Sequence, residues 1–292
     1  MPNDRALPRR ARRTPLADNR EIARSETQPD RRIRYDGPWA SAASTLPLEG
    51  YLTRPRPFAR LMTAGVRRPS RVAALIQLLL KIPRVRLVLS QSPAGQVLDE
   101  YFNRRSLGIL PMNRFCRGTL LLPRDHSDYL RGRHRQALRT NLRRAARAGI
   151  QCESMTDAGR AAADVYQVLR CRQDSLTEPE LRDWVSNLRQ AVARSEMTIA
   201  IARDGHGRPL AMAATTVDDM VCLINQGFAA THEARWALHD HIVQMLIARR
   251  VRYLLADGGG PFGALGFTSN VRHFQHLLGY ELCHVIPVVS VE

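Results

Sequence analysis

Five arginines, Arg131, Arg135, Arg139, Arg143 and Arg147, follow one another at intervals of four in the stretch DYLRGRHRQALRTNLRRAARAGI. On a helix this spacing makes one slowly rotating stripe, while Leu130, Leu138, Leu142 and Ala145 fall on another face. The pattern predicts an amphipathic helix over 125–148, ended by Gly149, which can take the positive φ of a helix stop. Guanidinium groups grip phosphate oxygens in bidentate fashion, so the stripe reads either as an anion site or as a solvated charged face. Arg139, Asn141 and Arg143 are its candidate donor-binding residues.

A second constellation, Asp257-Gly258-Gly259-Gly260, ends the apolar run VRYLLA. A carboxylate there can hold an ammonium ion and accept its proton, and glycines let backbone approach a ligand without Cβ obstruction. The alternative is a carboxylate that fixes its own loop by accepting the N–H groups of Gly259 and Gly260. Asp257 is the candidate catalytic base, with Gly258 and Gly259 as ligand contacts. Asn270, Arg272 and His273 cluster at the start of a later helix, as acceptor or phosphate contacts or as a cap with surface charge. His273 and His276 could share a metal at i, i+3, but no third ligand is evident, so no metal is expected. His239-Asp240-His241 lies on a helix whose apolar face is elsewhere and reads as solvated. No Ser-His-Asp or Cys-His spacing argues for a covalent mechanism.

The formal net charge is +17, almost all of it arginine, since Lys81 is the only lysine. Such a charge favours polyanionic partners: RNA, a nucleotide cofactor or an anionic membrane. Apolar content of 44% is that of a soluble globular protein. Cys116, Cys152, Cys171, Cys222 and Cys283 are odd in number and lack CxxC spacing, which excludes a disulfide framework and a zinc site and suggests a reducing cytoplasm. No long apolar segment precedes residue 70, so no signal peptide is expected, and Val72–Leu80 is too short to span a bilayer.

Residues 1–45 are rich in Arg, Pro, Asp, Ser and Thr and are expected to form a disordered basic tail. Residues 46–116 read as short basic amphipathic helices broken by Pro69 and Pro83, either a helical layer on the main domain or a membrane- or RNA-facing extension. From 117 to 292 the pattern is regular. Strands are expected at 118–122, 150–155, 197–203, 210–217, 220–228, 251–257 and 281–291. Helices are expected at 157–174, after a capping box at Thr177-Glu178-Pro179-Glu180, after the cap Thr231, and at 268–278.

From residue 150 this order, β-α-α-β-β-β-α-β-α-β, resembles the GNAT acyltransferase fold, an α/β (α+β) architecture with a mixed central sheet flanked by helices, here behind an N-terminal helical extension. Its phrases resemble the Fem-type aminoacyl ligase branch. There a basic helix reading roughly R-x-N-[IL]-R-[RK]-A-x-x-x-G precedes the first strand, and Arg139-Thr140-Asn141-Leu142-Arg143-Arg144-Ala145 with Gly149 is similar to it. Asp257-Gly258-Gly259, and Phe274 followed by Gly279-Tyr280, resemble two further phrases of the branch. The resemblance spans about 117–292. It implies an N-acyltransferase with acyl-CoA as the commonest donor and an amine-bearing acceptor. The alternatives are a tRNA-dependent aminoacyl transferase and a non-catalytic RNA- or membrane-binding protein on the same fold. The donor would lie where the fourth and fifth strands of the domain splay, with its pyrophosphate on the free N–H groups near Thr231. Two positions depart from the pattern. The loop Gln226-Gly227-Phe228-Ala229-Ala230-Thr231-His232 differs from the Q/R-x-x-G-x-[GA] of acetyl-CoA enzymes, and Gln275 stands where Fem ligases carry a lysine. Tyr280 could protonate a leaving thiolate or simply pack in the core.

Overall fold

A computed structural model describes residues 77, 80–105, 111–170, 177–256 and 269–290. Its elements run β1 (Arg84–Leu89), α1 (Pro93–Asn103), β2 (Arg117–Leu121), α2 (His126–Tyr129), α3 (Gln136–Arg147), β3 (Gln151–Met155), α4 (Ala158–Arg170), α5 (Glu178–Ala193), β4 (Thr198–Arg203), β5 (Pro209–Val217), β6 (Val221–Ala229), α6 (His232–Ala248), β7 (Tyr253–Ala256), α7 (Ser269–Leu277) and β8 (Glu281–Val289). Short 3-10 turns at Met112–Arg114 and Arg133–Arg135 precede β2 and α3. The tail 1–45 and residues 46–76 lie outside the described residues.

The eight strands form one mixed sheet in the order β1-β8-β2-β7-β6-β5-β4-β3. The expected meander is there: β3 to β6 pair antiparallel in succession, and β6 pairs parallel with β7. Residues 84–89 correct the helical reading of the N-terminal extension. They form a strand, parallel to β8, with Arg84, Arg86 and Val88 on one face and Leu87 and Leu89 buried on the other. The reason is visible in RVRLVL, whose apolar residues alternate with period two and are partly β-branched.

One face of the sheet is covered at β3–β5 by α4 and α5, which bury Val165, Val168, Leu181 and Leu188 against Ile199, Ile201 and Met212. On the same face α1 packs Leu98 and Phe102 on Leu87, Leu223, Leu255 and Val285. The opposite face at β4 and β5 carries small buried side chains, Ala200, Ala202, Ala211, Ala213 and Thr215. These small side chains let α6 lie close on the sheet beside α3. Full burial of a leucine-sized side chain contributes about 1.5–3 kcal/mol, so the two apolar clusters dominate the fold's stability.

The expected capping box forms in part: the Thr177 N–H and hydroxyl both donate to the Glu180 carboxylate, at 2.8 and 2.7 Å. A tie between distant segments was not legible in sequence. Buried Asp218, in the β5–β6 turn, accepts from the Ser90 N–H at 2.8 Å, from the Ser90 hydroxyl, and from the Ser92 hydroxyl at 3.0 Å. Ser92 in turn caps α1 through the Gly95 N–H. A Cβ at Gly95 would collide with the Ser90 carbonyl, so glycine is required there.

Candidate active site

The register of the sheet creates a cleft. β6 pairs with β7 from Val221↔Tyr253 to Ile224↔Ala256, the last described residue of β7. On its other side β6 carries a bulge, because Ala214 pairs with Gln226 and Thr215 with Ile224, leaving Asn225 extra. A bulge bends its strand and raises the local twist. Beyond it, among the described residues, Gln226–Ala229 pair only with β5. β7 and β2 both stop near this level, with Ala256 opposite Gly118 and Arg117 opposite Cys283. β8 continues, and its residues from His284 to Val289 pair only with β1 among the described residues. The β1–β8 pair does not run beside this segment: Ser90, directly after β1, bonds to Asp218 in the β5–β6 turn, at the end of β6 opposite Asn225–Ala229.

The bulge was readable. Period two puts Asn225 on the face of Val221 and Leu223, and an amide there signals a break in register. The Asn225 amide donates to the buried Thr216 hydroxyl at 2.8 Å, which pins the extra residue. Gly227 is exposed, and a Cβ there would meet only the Met212 carbonyl oxygen, at 3.8 Å. Half-buried Trp184 of α5 meets Phe228 edge-on at 6.4 Å and walls one side of the projecting segment.

The start of α6 follows directly. Thr231 caps it as expected, accepting from the Ala234 N–H at 3.2 Å. That bond occupies one of the N–H groups a pyrophosphate would use, and Glu233 adds a carboxylate in the first turn. Cations offset this. Arg235 lies over the Phe274 ring at 5.4 Å. His232 is held neutral, its pKa lowered by burial and by the charges of Arg235 and Arg144. Its Nε2 accepts from the Trp236 indole at 3.1 Å, and Trp236 stacks edge-on with Phe274 at 4.9 Å.

The arginine stretch is not one helix. Gly132 takes φ +96° and separates α2 from α3, so the four-residue stripe is broken after Arg131. Arg135 is buried; it lies over the Tyr129 ring at 4.9 Å and points a guanidinium N–H at the Leu277 carbonyl, at the end of α7. Arg139 donates to the carbonyls of Leu130 and Gly132, at 2.5 and 2.8 Å, and so closes the end of α2. Asn141 is buried and donates to the Ala137 carbonyl at 2.9 Å. Arg143, Arg144 and Arg147 are exposed on α3. Gly149 has φ +67°, the helix stop expected of it.

Gly279 joins two phrases that are far apart in sequence. Its φ is +79°, and a Cβ on it would collide with the Arg135 guanidinium. Tyr280 is buried, and its hydroxyl meets His239 Nε2 at 2.9 Å. His239 and Asp240 correct the solvated reading, since both are buried on α6. Burial, with help from the Arg135 charge, pushes the His239 pKa down to about 3, so the ring is neutral. Asp240 faces His126 of α2 at 2.8 Å and accepts from Gln244 at 2.8 Å. The helix is misread from sequence because only its hydrophobic residues are assigned inward, while His126 of α2, Phe274 of α7 and Tyr280 cover a second flank.

On α7, Arg272 and Gln275 are buried, and burial lowers the pKa of His273 and His276. Asn270 is the second residue of this helix. Asp257, Gly258 and Gly259 lie outside the described residues. Among the described residues no three metal-ligating side chains come together, and no helix is long and apolar enough to cross a membrane. Burial raises the thiol pKa of Cys116, Cys152, Cys222 and Cys283, so none of these is a thiolate nucleophile at neutral pH.

Comparison with known proteins agrees with this geometry. Residues 132–261 match the family described as acetyltransferase (GNAT) domain. No curated protein is similar enough in sequence to count as a match. Among solved structures, a conserved protein of unknown function from Bacteroides thetaiotaomicron is 16% identical, with 57% of this chain and 56% of that chain covered and a TM-score of 0.43. The L-PGS of Bacillus licheniformis is 12% identical, with 58% and 57% covered and a TM-score of 0.37. FemX is 9% identical, with 66% and 67% covered and a TM-score of 0.40. The chain thus spans little more than half the length of the first two. With its meander, bulged strand and parallel β6–β7 pair, the chain has a GNAT-type fold, and residues 132–261 are the part that matches the acetyltransferase (GNAT) domain model.

Proposed function

We propose that this protein transfers an acyl group to an amine by direct attack in the cleft beside Asn225–Ala229. The observation that supports this reading most is the bulge at Asn225, beyond which β6 has no pairing with β7 among the described residues. Backbone N–H groups along such an edge can polarise an acyl carbonyl as charge develops on its oxygen. Acyl-CoA is the leading donor; it supplies a thioester, an acyl group already activated for attack. The room at Gly227 suits a donor lying along β6, with Arg144 and Arg235 near its phosphates. The amine must lose a proton as the new bond forms, and Asp257, next in sequence after β7, is the proposed base. Asn270, Arg272 and His273 are proposed acceptor contacts.

Glu233 and the self-capped start of α6 favour a second reading, in which the donor is aminoacyl-tRNA and the polyanion runs along the exposed arginines of α3. The test is to incubate the protein with acyl-CoA species and, separately, with charged tRNAs in the presence of amines. Consumption of one donor identifies it. If wild type consumes neither, a non-catalytic binding role on this fold replaces acyl transfer. Asp257→Asn keeps the shape but removes the base, so transfer should fall by roughly 10²-fold with donor binding near normal. An unfolded variant would assign Asp257 to loop fixing, and a wild-type rate would move the base elsewhere.

A further inference from the structure

We propose that the two-stranded wing formed by β1 and β8 seats on an anionic lipid bilayer. Five large apolar side chains are exposed among the described residues; Val88 and Val288 share the outer face of this pair, Val289 ends β8 on the other face, and Leu80 precedes β1 in sequence. Val88 and Val288 are direct partners in register and stand 45% and 44% exposed. On the same face of β1, two and four residues before Val88, are Arg86 and Arg84, both exposed, and exposed Lys81 precedes the strand. No Asp or Glu occurs from Leu80 to Leu98 or from Leu282 to Val291. Exposed aliphatics interleaved with cations, with no carboxylate to repel headgroups, match the two attractions of an anionic bilayer: apolar burial at the interface and charge at its surface.

A water-facing strand edge of this kind is normally blunted by charges of both signs or covered. The wing is basic on one face only, and the charge complement it calls for is a negative surface. The proposal concerns this surface and does not rest on the acyl-transfer reading.

The test is flotation of the full chain with vesicles of phosphatidylcholine alone and of phosphatidylcholine mixed with phosphatidylglycerol. Wild type should float with the mixed vesicles and not with phosphatidylcholine. Val88→Thr with Val288→Thr keeps the charge and the β-branched shape, and should weaken partition roughly tenfold through its two hydroxyls. Arg84→Gln with Arg86→Gln should weaken it by roughly tenfold or more, and added salt should do the same. Arg143→Gln with Arg144→Gln, on α3, should change partition by much less. The emission of Val88→Trp, taken as a difference from wild type, should shift to the blue on mixed vesicles. Wild-type partition by the valine variant, or equal losses from the α3 arginines, would overturn the proposal. So would a lipid-independent dimer in sedimentation that the valine changes dissolve, which would assign the wing to a second copy of the chain.

Discussion

At the scale of single residues, one glycine and one arginine explain each other. Gly279 adopts φ +79°, where a Cβ is costly, and the space its side chain would fill holds the Arg135 guanidinium. Gly279→Ala should therefore destabilise the protein by about 1–3 kcal/mol, from backbone strain and displacement of Arg135. Urea unfolding of the purified variant measures this, and an unchanged midpoint would show that neither constraint is felt. His239 makes a different kind of statement. Its pKa falls from the ordinary 6.5 to about 3 in the fold, so the unfolded chain binds the extra proton between those values. The stability this ring contributes is complete above pH 6.5 and lost as pH falls toward about 3. His239→Gln should flatten the fall in stability over that window by up to one proton, about 1.4 kcal/mol per pH unit. Parallel pH profiles for variant and wild type would contradict it.

At the scale of elements, the basic segment divides its labour. Arg135 and Arg139 are spent on structure: one docks the segment on the end of α7, and the other satisfies the last carbonyls of α2. Arg143 and Arg144 face water from α3. The two roles separate in a pair of variants. Arg139→Ala should cost roughly 1–3 kcal/mol of stability, because it leaves two carbonyls without their charged donor. Arg143→Ala should leave stability within about 0.5 kcal/mol, while weakening an anionic donor and flattening the salt dependence of its binding. Thermal melting and a salt titration of donor binding check the two halves. A stable Arg139→Ala protein with lost binding would return Arg139 to the ligand.

At the scale of the whole molecule, the sheet is completed by strands from both ends of the described chain. β2 sits between β7 and β8, and β1 extends the edge beyond β8. Besides the apolar packing of α1 on Leu223, a buried carboxylate, Asp218, shared by Ser90 and Ser92, ties the N-terminal part to the meander. Asp218→Asn should lower stability by about 1–3 kcal/mol, since an amide cannot accept all three bonds. Faster hydrogen exchange in β1 and α1 than elsewhere in the variant would locate the loss, and uniform exchange would show that the tie does not hold these elements in particular.

The amino-acid sequence by itself determined the elements and their order from residue 117 onward, because period-two and helical patterns, Gly149 and Thr231 are local signals. It also contained the mark of the bulge, in an amide on an apolar face of β6. Only the tertiary structure decided which arginines face water, since burial of Arg135 depends on Gly279, far along the chain, lacking a Cβ. The same holds for His239 and Asp240, which are core residues because Tyr280 and Phe274, and His126 of α2, cover a helix flank that propensity alone leaves open. Residues 84–89 were misread because helix and strand compete in a short apolar run, and pairing with β8 settles the matter for the strand. The cleft belongs wholly to the tertiary level. It arises from where the β6–β7 pairing stops among the described residues, a register that no local pattern encodes.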